Sequence, residues 1–235
     1  MSERDMRKRE AAMAAVAMVQ DGMAVGLGTG STAAFAIDGL IERVRGGLNI
    51  VGIPTSERSA KQAADGGITL VDFSTHPRLA LTIDGADEIA EGSLALIKGL
   101  GGALLREKIV AAASDRLVII ADAPKLVSSL GGTAPVPVEV VPFGWQTTAA
   151  RLTALGASPE LRKADGAPFR TDGGNLILDC HFGPIADPAA LEARLSQTIG
   201  VVESGLFIGM ASTALVAMPN GVLRLDRGSG GLEKA

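Results

Sequence analysis

Met23-Ala24-Val25-Gly26-Leu27-Gly28-Thr29-Gly30-Ser31-Thr32 is the stretch on which the class of this chain turns. Residues 23–27 form a short apolar run after Asp21-Gly22, the pattern of a buried strand. A loop of glycines and hydroxyls follows. Ala33, Ala34, Ile37, Leu40, Ile41 and Val44 then recur at helical spacing until Gly46-Gly47 ends them. The unit is strand, glycine loop, helix, and working outward the alternation continues. Strands are predicted at 49–52, 68–72, 79–83, 94–97 and 117–121, with helices at 56–64 and 103–113. Continuous apolar strands alternating with helices predict an α/β fold: a mostly parallel, Rossmann-like sheet with helices on both faces. Upstream, Ser2-Glu3-Arg4-Asp5 resembles a capping box and predicts an amphipathic first helix, with Arg4, Arg7, Lys8 and Arg9 as a solvated face.

The character changes near Gly131-Gly132. An extended segment at 136–141, a helix at 143–155, strands near 160–163 and 175–180, a helix from Asp187-Pro188 to Ile199 and a strand at 201–207 follow in order. The succession β-α-β-β-α-β is that of a small α+β ferredoxin-like domain. The runs 214–218 and 222–225 flank Pro219-Asn220-Gly221, a hairpin signal, and are expected to rejoin the large sheet. The expected division is therefore a catalytic α/β domain of residues 1–131 and 206–235, and a small domain of 132–205. Gly228 to Gly231 are expected to be a loose tail.

Composition narrows the partners. The chain has 235 residues, 47% of them hydrophobic, 20% charged, and a formal net charge of -4. No long basic block is present, so nucleic acid and anionic membrane are poor expectations. The apolar part of the first helix is broken at Gln20-Asp21-Gly22, too early for a membrane span, and no signal peptide is expected. The single cysteine, Cys180, sits in a strand-like run and reads as a buried apolar side chain in a reducing compartment. With His76 and His181 it makes no zinc pattern.

Three loops carry candidate chemistry. Gly28-Thr29-Gly30-Ser31-Thr32 lets a ligand approach the backbone and offers free N–H groups at a helix start, which suits phosphate. It is neither a Rossmann GxGxxG nor a Walker loop, and a simple capped turn is an equal reading of it alone. Asp84-Gly85-Ala86-Asp87-Glu88 sets carboxylates just past an apolar run. Acids this close repel, so one can hold a proton; a polar turn or a divalent metal are the competing readings. Lys98-Gly99-Leu100-Gly101-Gly102 brings a cation among small residues ahead of a helix carrying Glu107, which alone reads as a solvated helix face. All three loops are expected at the carboxyl ends of strands of one parallel sheet, where ligands of such sheets bind.

Taken in order, these segments resemble the A type of ribose-5-phosphate isomerase. Arg106-Glu107-Lys108, Ala121-Asp122-Ala123-Pro124-Lys125, Pro137-Val138-Glu139-Val140 and Gly205-Leu206-Phe207 match as well, so the likeness runs from about residue 6 to 226. Leu100 departs from the pattern, standing where many members carry glycine. The resemblance implies a cytoplasmic, cofactor-free enzyme of the pentose phosphate pathway that acts on a small pentose phosphate, binds no metal, and forms a homo-oligomer, a dimer or tetramer. It implies Glu107 as general base with Asp84, Asp87 and Lys98 as its polar partners. It implies substrate contacts at Thr29, Gly30, Ser31, Thr32, Asp84, Gly85, Ala86, Asp87, Lys98, Gly99, Leu100, Gly101 and Lys125. Two other functions on the same fold compete: a non-catalytic sugar-phosphate sensor, and an enzyme like the CoA transferases with a nucleophilic glutamate.

Overall fold

The computed structural model describes residues 2–228 and, for the backbone alone, 233–234. Ser2 opens helix α1 (Glu3–Val16): its hydroxyl accepts from Asp5 N–H while the Asp5 carboxylate accepts from Ser2 N–H, the reciprocal pairing that satisfies two donors of a helix start. Next come β1 (Ala24–Leu27), α2 (Ser31–Arg45), β2 (Val51–Pro54), α3 (Glu57–Gly66), β3 (Thr69–Leu70), β4 (Leu81–Gly85), β5 (Glu88–Ala90), β6 (Leu96–Ile97), α4 (Leu104–Ala112), β7 (Leu117–Asp122) and β8 (Leu126–Val127). The rest comprises β9 (Val136–Val140), α5 (Trp145–Ala154), β10 (Ser158–Leu161), β11 (Lys163–Ala164), β12 (Ala167–Pro168), β13 (Leu176–His181), α6 (Pro188–Ser196), β14 (Val201–Ser204), β15 (Leu206–Phe207), β16 (Thr213–Met218), β17 (Gly221–Asp226) and β18 (Glu233–Lys234).

The large sheet has the order β18-β17-β16-β7-β4-β1-β2-β3. Strands β3, β2, β1, β4, β7 and β16 are parallel; β17 pairs antiparallel with β16, and β18 antiparallel with β17. Successive side chains leave opposite faces of a strand. Thus Val25, Leu27, Leu81, Ile83, Val118 and Ile120 pack under α1 and α2, while Leu117, Ile119, Ala121, Ala214 and Val216 face the other way, against Ile89, Leu96 and Phe207. Both faces are covered, as continuous apolar strands require. The hairpin at Pro219-Asn220 forms as expected and its strands do join this sheet.

The second sheet, β10-β13-β9-β14, is antiparallel throughout. With α5 and α6 it is the predicted ferredoxin-like arrangement, and α4 touches both it and the large sheet. Two expectations need correction. Residues 201–207 are not one strand. The chain breaks at Gly205, whose N–H donates to Pro137 O and whose O accepts from Lys98 N–H; a Cβ there would stand 2.2 Å from Lys98 O. Beyond it β15 joins a third sheet, β15-β6-β5-β8. That sheet is the second correction: β6, which precedes Lys98, pairs antiparallel with β5 and β15 and lies outside the parallel sheet. Of the expected tail, residues 229–231 lie outside the described residues. Among the described residues no helix is long and apolar enough to cross a membrane.

Candidate active site

The carboxyl ends of β1, β4 and β7 open on a cavity of about 130 Å³. Asp84 is the penultimate residue of β4 and fully buried. Its Oδ1 accepts from Thr29 N–H at 3.0 Å and Gly85 N–H at 2.8 Å. This contact explains Gly28: a Cβ there would lie 2.3 Å from the same carboxylate. The first loop and the acidic loop are therefore held together by Asp84, through a contact only glycine allows.

Lys98 reaches the site from the end of β6 and is 2% exposed. Its Nζ donates to Gly85 O at 2.5 Å and lies 3.0 Å from Asp84 Oδ2 and 3.4 Å from Glu107 Oε2. Glu107, in the first turn of α4, is 3% exposed. Neither Asp84 Oδ2 nor Glu107 Oε2 receives a hydrogen bond; each meets Lys98 as an ion pair only. Two carboxylates with one ammonium leave an excess negative charge on groups almost wholly withdrawn from solvent. Burial pushes Glu107 up to about 8, against Lys98, and Asp84 and Asp87 push the same way. Burial also raises Asp84, opposed by Lys98. For Lys98 burial acts downward, but the two carboxylates overcome it and hold the ammonium above the ordinary lysine range. The positive end of α4 works against the rise at Glu107, and burial prevails.

The acidic motif divides. Asp87, half-buried, lines the cavity and accepts from Leu100 N–H at 2.9 Å. Glu88 turns away, accepting from the N–H groups of Gly131, Thr133 and Ala134 and from the Thr133 hydroxyl. Gly30, Ser31, Thr32, Gly85, Ala86, Gly99, Gly101 and Lys125 line the cavity with the charged groups, and Leu100 does not. The Leu100 side chain is 42% exposed, and the positive backbone angles of its loop fall at Gly99 (φ 107) and Gly102 (φ 84), so a leucine is accommodated between them. Thr29 lines the cavity, but its hydroxyl is engaged with those of Thr55, Ser56 and Ser59, the first two at 2.7 Å. Gly30 caps α2 with no side-chain acceptor on the first-turn N–H groups, which leaves a positive helix end facing the cavity.

Sequence reading missed Arg4 and Lys8. Both line the cavity: α1 begins beside the carboxyl end of β7, where Arg4 Nε meets Asp122 Oδ2 at 2.9 Å, and Lys8 Nζ lies 2.9 Å from Ser31 Oγ. They are not merely the solvated face expected. Their spacing, i and i+4, sets them on one side of the helix, but only the packing of α1 tells which side faces the ligand. Arg106 and Lys108, flanking Glu107, bind Glu57 and Glu203 and stay outside the site. Among the described residues no group of three His, Cys, Asp or Glu side chains is arranged to hold a metal. An acid poised near neutrality, a buried ammonium beside it and a cationic helix end together suit proton transfer on an anionic substrate.

Residues 51–221 match the family model described as ribose 5-phosphate isomerase A (phosphoriboisomerase A). The chain is 64% identical over 218 residues to ribose-5-phosphate isomerase A of Gloeobacter violaceus, covering 93% of this chain and 95% of that one. It superposes on the ribose 5-phosphate isomerase A structure from Methanocaldococcus jannaschii with a TM-score of 0.92 at 38% identity, covering 96% of this chain and 100% of that one. A D-ribose-5-phosphate isomerase solved in complex with phospho-erythronic acid gives the same TM-score of 0.92 at 36% identity and the same coverages, 96% and 100%.

Proposed function

Because the chain belongs to the ribose 5-phosphate isomerase A family, we propose that its conversion of D-ribose 5-phosphate to D-ribulose 5-phosphate runs on Glu107 as base, Lys98 as the cation for the developing oxyanion, and the α2 start as phosphate site. The enzyme is an aldose–ketose isomerase working through an enediolate. In the open-chain aldose, Glu107 takes the proton from C2, and the electron pair of that bond moves to make the C1–C2 double bond while the carbonyl oxygen O1 gains the negative charge. Lys98 Nζ, a buried positive charge, stabilises that oxygen. The hydroxyl proton passes from O2 to O1, the carbonyl re-forms at C2, and Glu107 returns its proton to C1. No atom is gained or lost.

The observation that carries this reading is the 3% exposed Glu107 carboxylate, with one oxygen free of hydrogen bonds, held 3.4 Å from Lys98 and pushed toward neutrality by burial. Asp84 is committed to Thr29, Gly85 and Lys98, so we assign it to holding the ammonium in place. Asp87, reachable from the cavity, is the better acceptor for the anomeric hydroxyl proton when the furanose ring opens. Ser31, Thr32, Lys8 and Lys125, with the free N–H groups of α2, suit the phosphate. A relative in complex with phospho-erythronic acid, an anion combining a phosphate and an acid group on a short carbon chain, fits a site with this polarity. Nothing in the geometry favours a sensor or a transferase.

We further read residues 132–205 as a separate small domain, and the protein as a cytoplasmic homo-oligomer, a dimer in the first instance. Phe143 (94% exposed) and Ile199 (76%) stand out on the small sheet's side, next to Val141, whose N–H bonds Gly200 O. An apolar patch of this kind favours association, and light scattering at several concentrations reads it. The function itself is tested by a coupled assay on ribose 5-phosphate in the presence of EDTA. Turnover is expected; none on any pentose phosphate would refute it.

A further inference from the structure

We propose that Arg162, which does not itself line the cavity, is a positioning residue for the isomerisation, acting on Asp87 through the peptide unit between Gly99 and Leu100. The inference rests on the assignment of Asp87 to the proton chemistry. The carbonyl of that peptide, Gly99 O, accepts from Arg162 Nη1 at 2.8 Å, and its N–H, on Leu100, donates to Asp87 Oδ2 at 2.9 Å. One peptide thus spans a guanidinium and a carboxylate, with its negative end on the cation and its positive end on the anion. Arg162 Nη1 also reaches Leu100 O at 3.2 Å. The guanidinium is itself held in a two-pronged contact with Asp179, Nε to Oδ2 at 2.9 Å and Nη2 to Oδ1.

The loop needs such an anchor. Three glycines in four residues, Gly99, Gly101 and Gly102, give this loop wide backbone freedom, yet it leads from Lys98 into the helix of Glu107. If the 99–100 peptide turned over, its carbonyl oxygen would face the Asp87 carboxylate, and the two would repel. The fork of Arg162 opposes the turn from the far side. A lysine offers one charge and no fork, so it is a poor replacement. Phe169 adds a second restraint from the same part of the chain. Its ring covers Gly102, where a Cβ would lie 2.5 Å from Phe169 Cζ, and it stands 6.0 Å from the Arg162 guanidinium. Arg162, Phe169 and Asp179 all belong to the β10–β13 region, so the antiparallel sheet shapes a site to which it contributes no wall.

The test is steady-state kinetics of the full chain on ribose 5-phosphate with R162A, R162K, D87N and the double variant R162A/D87N. A misplaced catalytic group costs on the order of 10²-fold, so R162A is expected to lose about 10–100-fold in kcat with KM changed by less than about threefold. R162K is expected to recover little of this, and added guanidinium, below denaturing concentration, a measurable part. If Arg162 acts through Asp87, the double variant falls well short of the product of the two single losses. Wild-type kcat in R162A overturns the inference. So do losses that multiply while D87N is itself impaired, which leaves the role of Asp87 standing. So does a loss that follows a lowered melting temperature and ignores guanidinium. Full turnover in D87N refutes the assignment of Asp87 itself, and this inference with it. Should R162A fail to fold, R162K takes its place in the cycle with D87N, and the same outcomes support or overturn the coupling.

Discussion

Glu107→Gln removes one proton acceptor and leaves the shape of the site nearly intact. Below about pH 8 the folded protein already carries Glu107 protonated, and an amide closely matches a protonated acid in size. Lys98 keeps Asp84 as a partner at 3.0 Å. The fold is therefore expected to tolerate the change, with KM moving by less than about threefold, while kcat falls by the ~10²–10⁴-fold a positioned base contributes. At about 1.4 kcal/mol per decade that is roughly 3–6 kcal/mol of barrier. Initial rates of ribulose 5-phosphate formation measure it. The ionised carboxylate is the base, so wild-type kcat/KM is expected to rise with pH and level off above about 8, and the residual rate of the glutamine variant to lack that rise. Stability moves oppositely. Folding raises this pKa above its unfolded value of 4.5, so the folded state keeps a proton the unfolded chain releases. The contribution is complete below 4.5 and is lost as pH climbs through about 8. Melting temperature relative to the glutamine variant should fall across that window. A kcat within about threefold of wild type, or a pH–rate profile that keeps its rise in the variant, would refute the argument.

Three other outcomes follow from the same geometry. Lys98→Met leaves Asp84 and Glu107 buried with no cation; breaking such a cluster costs about 3–5 kcal/mol, read by denaturant unfolding, and turnover should vanish with it. Lys8→Ala removes a charge from beside Ser31 and is expected to raise KM for ribose 5-phosphate by about tenfold or more, with kcat nearly kept, since a hydrogen bond to a charged group contributes about 1.5–3 kcal/mol. Cys180 is buried, and burial pushes its thiol up to about 12, so a thiol reagent at pH 8 should leave the native protein unmodified and label it only after unfolding.

The parts of this molecule that local pattern dictates are legible in the sequence. Ser2 with Asp5, the strand–loop–helix of 24–45 and the helix between Ser56 and Gly67 rest on caps, glycines and periodicity within a few residues. The third sheet is not legible. Its strands are two or three residues long, too short to show a period, and exist because distant segments pair. The Lys98 loop does join those of Thr29 and Asp84, but not as the end of a strand of the parallel sheet, since β6 belongs to the third sheet. Gly205 reads as one residue of a strand because nothing in 201–207 reveals that Lys98 and Pro137 crowd it from both sides. The same limit hides Lys8 among the other charges of α1. Glu107 shows the limit most plainly: between Arg106 and Lys108 it reads as surface, and only the packing of α4 between two sheets buries it.

The pairing of β7 with β16 also fixes an order of events during synthesis. Every residue lining the cavity lies between Arg4 and Lys125, so a growing chain holds the complete catalytic set early. Strand β7 nevertheless finds its second parallel neighbour only at Thr213–Ala217, after the whole antiparallel sheet has been made. Pairings across so long a separation form slowly. A nascent chain ending before Thr213 should hold all the catalytic groups and remain inactive, with one edge of β7 unpaired and Val118 and Ile120 lacking Leu215 and Ala217 beside them. The ribosome thus completes the chemistry of this enzyme well before it completes the support that lets the chemistry work.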